Sequence, residues 1–481
     1  MLEPGRLARS NNCPPSLRSS AAVLLGALFL SWPAFYNGFP LIYADSMSYM
    51  ADGRPVARAV FLHQTSDYYG MRSFIYSLGI LPFHWNFSPW PVVALQCLLA
   101  AFVVWLVMRA VLPRRSVPCY LGLMFCLSLL TSASWYSSIV LPDILGPLAY
   151  LAFFLLVFAR DSLSRRERYA LYGIAWWGLT AHSTHFMLAA GLCLLVALML
   201  TVERRPLRRI VLPTAEVAAI VLVAALAQLA LHGYLYGKPS LNGERPPYLM
   251  ARIVADGPGR WYLEKNCGHL TWFICGHLDH LADNPDDFLW APDGIWQTDT
   301  DEENKQLVRE EMPLVLATMR AYPREQLARS SRNFWDQLNR FGLFDLEPSD
   351  WVGAEFGRIM PAAQTGYTRG RQAHNALPLE LFSDTQYWVV LACLGLVCLG
   401  MVAGFISRIF PHRPVRLLEL GVIVLVMPVA NGLLTGVLSM PDDRYEARVI
   451  WLLPMLAGLM GMSWLSRDEQ ETRQLNSEFA R

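Results

Sequence analysis

A short polar segment follows the first long apolar run of the sequence and contains an aspartate. The segment runs from Tyr43 to Tyr49 and reads YADSMSY. A carboxylate at the end of a membrane helix costs free energy unless it reaches water or a partner, so its position invites a functional explanation. A carboxylate that reaches water can accept a proton from a substrate hydroxyl. Asp45 is therefore the candidate catalytic base of this chain.

Other residues able to transfer protons or bind anions also stand at the ends of apolar runs. One aspartate opens a run after Leu141-Pro142, two histidines three residues apart bracket a turn, and DDRYEAR at 442–448 precedes the last run. Imidazoles and carboxylates exchange protons, and guanidinium groups bind phosphate. These candidates are Asp143, His182, His185, Arg444, Tyr445 and Arg448.

The composition indicates that lipid surrounds much of the chain. Of 481 residues, 54% are hydrophobic and only 16% are charged. A soluble globular domain carries about a quarter charged residues, so the deficit favours a membrane protein. The net charge of +1 gives no reason to expect nucleic acid as a partner.

The apolar runs predict an all-α polytopic protein with about ten transmembrane helices. Each run is long enough, or nearly so, to cross an apolar core of about 30 Å. The fifth run is short, and Ser73–Trp85 contains Pro82, which predicts an interfacial or re-entrant piece rather than a span. The ten runs are 21–39, 90–111, 117–135, 142–160, 168–181, 185–202, 210–232, 386–408, 417–437 and 447–465.

The distribution of arginine predicts the orientation of the helices. Alternate connections are rich in arginine, whereas the links at 136–141 and 182–184 contain no Lys or Arg. Because basic residues concentrate on the cytoplasmic side, both termini are predicted to be cytoplasmic. The arginines that set this orientation are Arg109, Arg114, Arg115, Arg160, Arg165, Arg166, Arg168, Arg204, Arg205, Arg208, Arg209, Arg408, Arg413, Arg416, Arg467, Arg473 and Arg481.

This orientation divides the chain into units and leaves one large insert outside. The insert lies between helices seven and eight, is too polar to span lipid, and reads as mainly helical. Its excess of acidic residues argues against binding of nucleic acid or anionic lipid. The predicted units are 1–232 with an outward loop at 40–89, the insert 233–385, the membrane segment 386–466 and a cytoplasmic tail 467–481.

All the candidate residues then fall on the outward face. A base, anion-binding guanidiniums and a wet cavity at the outer leaflet are what transfer from a lipid-phosphate donor requires. The opposite face carries mostly arginine.

At this point the chain resembles the GT-C superfamily of polytopic glycosyltransferases. The matching text is YADSMSY at 43–49, Leu141-Pro142-Asp143 and Asp443-Arg444-Tyr445, in a layout that covers much of the chain. The resemblance implies a polyprenyl-phosphate or dolichyl-phosphate sugar donor, a glycan, lipid or protein acceptor, and a periplasmic site in an inner membrane.

The resemblance also implies residue roles. Asp45 would take a proton from the acceptor hydroxyl, Arg444 or Arg448 would hold the donor phosphate, and Asp143 would position a substrate. Single displacement would invert the anomeric carbon. Because Ser46 follows Asp45, the chain lacks the Asp-Glu or Asp-x-Asp text of many members, which leaves a divalent metal without a clear ligand motif.

Each candidate also has a purely structural explanation. Asp45 could cap a short helix, and Asp143 could complement a helix dipole after Pro142. Arg444 and Arg448 could snorkel or pair with neighbouring acids. His182 and His185 have no third ligand at a metal-binding spacing, so polar turn residues or substrate contacts are the alternatives.

Two of the nine cysteines, Cys267 and Cys275, lie in the polar insert. An oxidising compartment favours a disulfide between them, with a structural role. A zinc knuckle with His269 or His277 is the alternative, although a spacing of eight fits no standard zinc pattern.

Two other functions fit a polytopic chain. An O-antigen ligase or polymerase-like enzyme would use Arg245, Arg252, Arg260 and His269 of the insert instead of Asp45. A transporter or flippase would need charges within the membrane and paired broken helices, and the sequence contains few of these features.

Overall fold

A computed structural model describes residues 17–64, 67–113, 116–243, 245–406 and 415–479. The described residues form helices and connecting turns, with one isolated parallel β-bridge between Leu41 and Ile139. Arg114, Arg115, Arg408, Arg413 and Arg481, which contribute to the predicted orientation, lie outside the described residues.

The chain up to the insert forms eleven helices in these described ranges. They are α1 (Leu17–Leu30), α2 (Trp32–Asn37), α3 (Ala44–Leu62), α4 (Phe74–His84), α5 (Trp90–Val111), α6 (Val117–Leu130), α7 (Ala133–Ser138), α8 (Leu145–Phe158), α9 (Arg165–Ala181), α10 (Ser183–Val202) and α11 (Leu207–Tyr236). Short 3₁₀ turns at Pro142–Ile144 and Arg160–Ser162 flank α8.

Shorter helices build the insert, and four more helices complete the described chain. The insert has α12 (Tyr248–Ala255), α13 (Pro258–Asn266), α14 (Pro285–Trp290), α15 (Ile295–Thr298), α16 (Asp301–Ala321), α17 (Pro323–Asn339), α18 (Asp350–Ile359) and α19 (Gln364–Arg369). Then follow α20 (Leu379–Ile406), α21 (Val415–Leu438), α22 (Asp443–Ile450) and α23 (Leu452–Phe479).

Six of the described helical segments are long and apolar enough to cross a membrane, which gives the chain the build of a multi-pass helical membrane protein. The count of about ten spans is not confirmed. Four further apolar helices are shorter, Leu17–Leu30, Phe74–His84, Val117–Leu130 and Pro142–Phe158. The six long segments are Trp90–Val111, Ser183–Val202, Leu207–Tyr236, Leu379–Gly404, Arg416–Leu438 and Asp443–Leu465.

Three of the predicted spans are broken into two helices each. The first run breaks at Ser31, the third at Thr131–Ser132 and the tenth at Trp451. At the first two breaks side chains satisfy the freed backbone groups, since Ser138 donates to the carbonyl of Leu30 and Gln386 accepts from the amide of Ser132. A broken helix is tolerated at membrane depth where protein surrounds it.

The core of the bundle is α8, which is buried along nearly its whole length. It packs against α5, α9, α11 and α21. The insert has a hydrophobic cluster of its own, built from α12–α16, while its last part from Phe341 onward joins the core of the membrane bundle. The last part of the insert therefore packs against the helices of the bundle.

Candidate functional site

The β-bridge brings two of the candidate aspartates together. It pairs Leu41 with Ile139, with the Leu41 amide donating to the carbonyl of Ser138 at 3.0 Å. Asp45 and Asp143 each stand four residues after a bridged residue. The parallel arrangement therefore carries both carboxylates in the same direction from one point.

The helix α22 supplies two arginines to these carboxylates. Arg444 and Arg448 are four residues apart, so they project from the same face of the helix. Arg444 makes a bidentate pair with Asp143, with Nε–Oδ1 at 3.2 Å and Nη2–Oδ2 at 3.0 Å, and also donates to Oδ2 of Asp45 at 2.8 Å. Arg448 donates to Oδ1 of Asp143 at 3.2 Å. Arg444 thus bridges the two aspartates.

A third arginine, Arg72, comes from the connection between α3 and α4. Its Nη2 lies 2.5 Å from Oδ1 of Asp45, and its Nη1 lies 3.4 Å from the hydroxyl of Tyr248 in the insert. Both oxygens of Asp45 are therefore held by guanidinium groups, so its carboxylate does not cap α3. Ser46 instead accepts the amide of Tyr43 at the start of that helix.

The cluster is open at one end and sealed at the other. The side chains of Arg72 and Asp45 are 22% and 14% exposed, whereas those of Asp143 and Arg448 are fully buried. Burial alone would raise the pKa of Asp45, but Arg72 and Arg444 outweigh burial and lower it. Asp45 is therefore ionised at neutral pH, and its carboxylate is more accessible than that of Asp143.

The insert contributes a carboxyl group, that of Asp345, which binds the backbone of Arg444 rather than its guanidinium. The backbone amide of Arg444 donates to Asp345 at 2.5 Å and to Asp442 at 3.1 Å. Burial, together with the hydrogen bond and charge of Asp442, raises the pKa of Asp345 to about 9. Asp345 is thus protonated at neutral pH. The ring of Tyr43 lies 4.7 Å from the Arg444 guanidinium.

A polar chain continues from the sealed end into the bundle. Arg448 donates to Oδ1 of Asn431 at 3.0 Å, and Asn431 donates to Glu446 at 3.0 Å. The side chains of Arg448 and Glu446 are both fully buried. This arrangement fixes Arg448 against Asp143 and gives the sealed end a supporting role.

The histidines and Tyr445 lie beside the ion pairs without bonding to them. His182 accepts the amide of Thr184, and Nδ1 of His185 lies 3.0 Å from the carbonyl of Gly178. Burial and the nearby charge of Arg448 hold the pKa of His182 well below its ordinary value, so this imidazole is neutral. The ring of Tyr445 lies 5.3 Å from the Arg448 guanidinium.

Cys267 and Cys275 are joined by a disulfide within the insert. His277 lies 3.3 Å from a carboxylate oxygen of Asp299. In the described part of the chain, no group of three or more His, Cys, Asp or Glu side chains is arranged to hold a metal ion.

An apolar cavity of about 590 Å³ lies between α4, α5, α9 and α11. Ile75, three residues after Arg72, is part of its wall, and Trp177 stacks on Tyr76. Tyr76 in turn contacts the ring of Tyr49 in α3. The start of α4 therefore packs both against the cavity wall and against α3, the helix that contains Asp45. Its lining residues are Ile75, Leu78, Gly79, Phe83, Leu95, Trp176, Trp177, Ala227 and Leu231.

Three contributors to the site were not among the sequence candidates: Arg72, Asp345 and Asn431. Arg72 is one of several arginines in an outward loop, and nothing in its local sequence distinguishes it from Arg54 or Arg58. Asp345 and Asn431 reach the site only through the packing of the insert and of α21.

No protein-family model, curated protein or solved structure matches this chain.

Proposed function

We propose that this protein is a membrane glycosyltransferase of the GT-C type. It would move a sugar from a polyprenyl-phosphate donor to a glycan, lipid or protein acceptor at the extracytoplasmic face of a cytoplasmic membrane. The observation that carries the proposal is the meeting of Asp45, Asp143 and Arg444 in one ion-paired cluster, although Asp45 and Arg444 are 399 residues apart in sequence.

The donor phosphate would bind at the open end of this cluster. Arg72 and Arg444 both pair with Asp45. A donor phosphate that binds either guanidinium would take the place of Asp45 as its anionic partner. Arg448 is fully buried and bonded to Asn431, so it would stay in place and hold Asp143. The apolar cavity that begins at Ile75 offers space for the hydrocarbon part of a lipid donor.

Donor binding would also prepare the base. Asp45 is a weak base while two guanidiniums stabilise its ionised form, and it becomes more basic when the phosphate draws one of them away. Asp45 then accepts the proton of the acceptor hydroxyl while the acceptor oxygen bonds to the anomeric carbon. The bond between that carbon and the phosphate oxygen breaks, and polyprenyl phosphate leaves with the electron pair. The product has the inverted configuration at the anomeric carbon.

The insert arginines support the alternative ligase-type function less well. Arg245, Arg252 and Arg260 pair with Glu311, Asp256 and Asp283 respectively. Each of these guanidiniums pairs with a carboxylate of the insert, whereas Arg72 and Arg444 pair with Asp45.

Binding of a prenyl phosphate tests the proposal directly. In nanodiscs, Arg444→Ala should weaken binding of farnesyl phosphate by roughly tenfold or more, because a charge-assisted contact contributes about 1.5–3 kcal/mol. Arg369→Ala, which removes an exposed arginine from α19, is the matched control and should bind as the wild type does. Equal affinities in the two variants would contradict the phosphate-binding role.

A further inference from the structure

Asp52 is a buried carboxylate that the proposed reaction does not use. It lies in α3 seven residues after Asp45, so two helical turns place both side chains on the same face. Only 1% of Asp52 is exposed. Its Oδ1 accepts the amide of Tyr69 at 2.8 Å, and its Oδ2 accepts the amide of Gly70 at 3.3 Å.

The residues that Asp52 holds lead directly to Arg72. The segment Tyr69–Arg72 is therefore attached to α3 at two points on one face, by its amides to Asp52 and by the Arg72 guanidinium to Asp45. Gly70 has a φ of +75°, and an added Cβ there would lie 2.7 Å from the hydroxyl of Tyr236. The backbone geometry of the segment is thus fixed next to the carboxylate.

We propose that Asp52 is a positioning residue whose protonation state sets how firmly the segment Tyr69–Arg72 holds Arg72 against Asp45. The attachment of the segment Tyr69–Arg72 to α3 follows from its contacts alone. The effect of this attachment on donor binding rests on the proposed function.

The surroundings of Asp52 leave its charge uncompensated. Among the described residues, no Lys, Arg or His forms an ion pair with it. On the neighbouring elements, Arg358 of α18 bonds to the Tyr69 hydroxyl and pairs with Glu355, and Tyr68, which precedes the segment, lies within electrostatic range. The ionisable side chains of α4 are Tyr76 and His84, and those of α3 near Asp52 are Tyr49, Arg54 and Arg58.

Burial raises the pKa of Asp52 to about 7, although the Gly70 amide acts in the opposite direction. When the segment opens, water reaches the carboxyl group and its pKa returns toward the ordinary value of about 4. The closed segment therefore binds the proton more tightly than the open segment. By linkage, protonated Asp52 favours the closed segment below about pH 7, and ionisation favours opening as the pH rises.

Hydrogen exchange of the segment measures this equilibrium. After correction for intrinsic exchange rates, opening of the peptide that contains Tyr69 and Gly70 should increase about tenfold between pH 6 and pH 8. This comparison needs no substitution. Opening that does not change over this range would overturn the proposal.

Two variants separate Asp52 from other causes. Asp52→Asn keeps a neutral carbonyl acceptor, so protection should persist and should no longer depend on pH. Asp67→Asn removes an exposed carboxylate from the same loop and should keep the wild-type pH dependence. A pH dependence that persists in Asp52→Asn would refute the role of Asp52.

Farnesyl phosphate binding then tests the consequence for the site. Between pH 6 and pH 8, wild-type protein should lose affinity relative to Asp52→Asn, since only the wild type loosens Arg72. If neither protein binds the probe, the proposed function fails, and hydrogen exchange still decides the role of Asp52. If the affinities of the wild type and Asp52→Asn change equally between pH 6 and pH 8, while hydrogen exchange gives the expected result, Arg72 does not bind the phosphate.

Discussion

The carboxylate of Asp143 differs from that of Asp45 in how completely its partners surround it. Asp143 is fully buried and pairs with two guanidiniums, whereas the side chain of Asp45 is 14% exposed. Removal of one partner costs more free energy in a buried ion pair than in an accessible one, because water cannot solvate the buried charge that remains. The two aspartates therefore differ in what they contribute to folding and to chemistry.

Substitution of each aspartate by asparagine should separate these contributions. Asp143→Asn should lower the free energy of unfolding by about 3–5 kcal/mol, because it leaves Arg448 without a carboxylate partner. Asp45→Asn should cost less, since Arg444 keeps Asp143 and Arg72 gains access to water. Denaturant unfolding in the same detergent measures both values, and an equal or larger loss for Asp45→Asn would contradict this ranking.

Residue types and their positions were enough to select Asp45, Asp143 and Arg444, which the structure brings into contact. They were not enough to select Arg72 or Asp345. Side-chain chemistry is visible in a sequence, but the partner of each side chain depends on which loops the fold brings together. The roles of all these residues remain predictions.

At the scale of elements, α21 shows how small residues allow the insert to approach the bundle. The helix α17 packs along α21, where a Cβ on Gly436 would lie 2.7 Å from the carbonyl oxygen of Asn333. Next to this contact, Gln337 of α17 exchanges hydrogen bonds with the backbone of Asp442, two residues before Arg444. The close approach therefore positions the start of α22.

Gly436→Ala should disturb this contact. The new methyl group meets backbone rather than a flexible side chain, so we expect a loss of about 1–3 kcal/mol in the free energy of unfolding. Gly395→Ala is the control, since an added Cβ there has no atom within 4 Å and Ala favours a helix by about 0.5–1 kcal/mol. Thermal unfolding of the two variants gives the comparison, and equal midpoints would contradict the packing argument.

The elements also show where hydropathy is insufficient. Hydropathy predicted about ten spans, a count that is not confirmed, and it predicted continuous spans through Ser31 and Thr131–Ser132, where the structure has breaks. An apolar run interrupted by one or two hydroxyl residues has the same mean hydropathy whether the helix continues or bends. Hydrogen bonds from distant side chains stabilise the breaks, and these partners cannot be read from the run itself.

At the scale of the whole molecule, the main feature is the contact between Asp45, near the beginning of the chain, and Arg444, near its end. Asp45 and Arg444 meet because the β-bridge at Leu41 and the helix α22 both end beside α8. The insert covers this meeting point through Asp345 and Tyr248. The proposed orientation places this meeting point at the extracytoplasmic face of the membrane.

Amine labelling tests that orientation cleanly. The three lysines of the chain are Lys238, Lys265 and Lys305, and all three are exposed within the insert. A membrane-impermeant amine reagent added to intact spheroplasts should therefore modify these lysines. Labelling that appears only after the membrane is permeabilised would reverse the predicted orientation.

Turnover by Asp45→Asn tests the central claim most directly. In proteoliposomes supplied with polyprenyl-phosphate-linked sugars, the wild type should release polyprenyl phosphate. Asp45→Asn should fold, bind farnesyl phosphate and release at least a hundredfold less product, because general-base catalysis contributes about 10²–10⁴-fold. Asp67→Asn should retain wild-type turnover. Full turnover by Asp45→Asn would contradict the account.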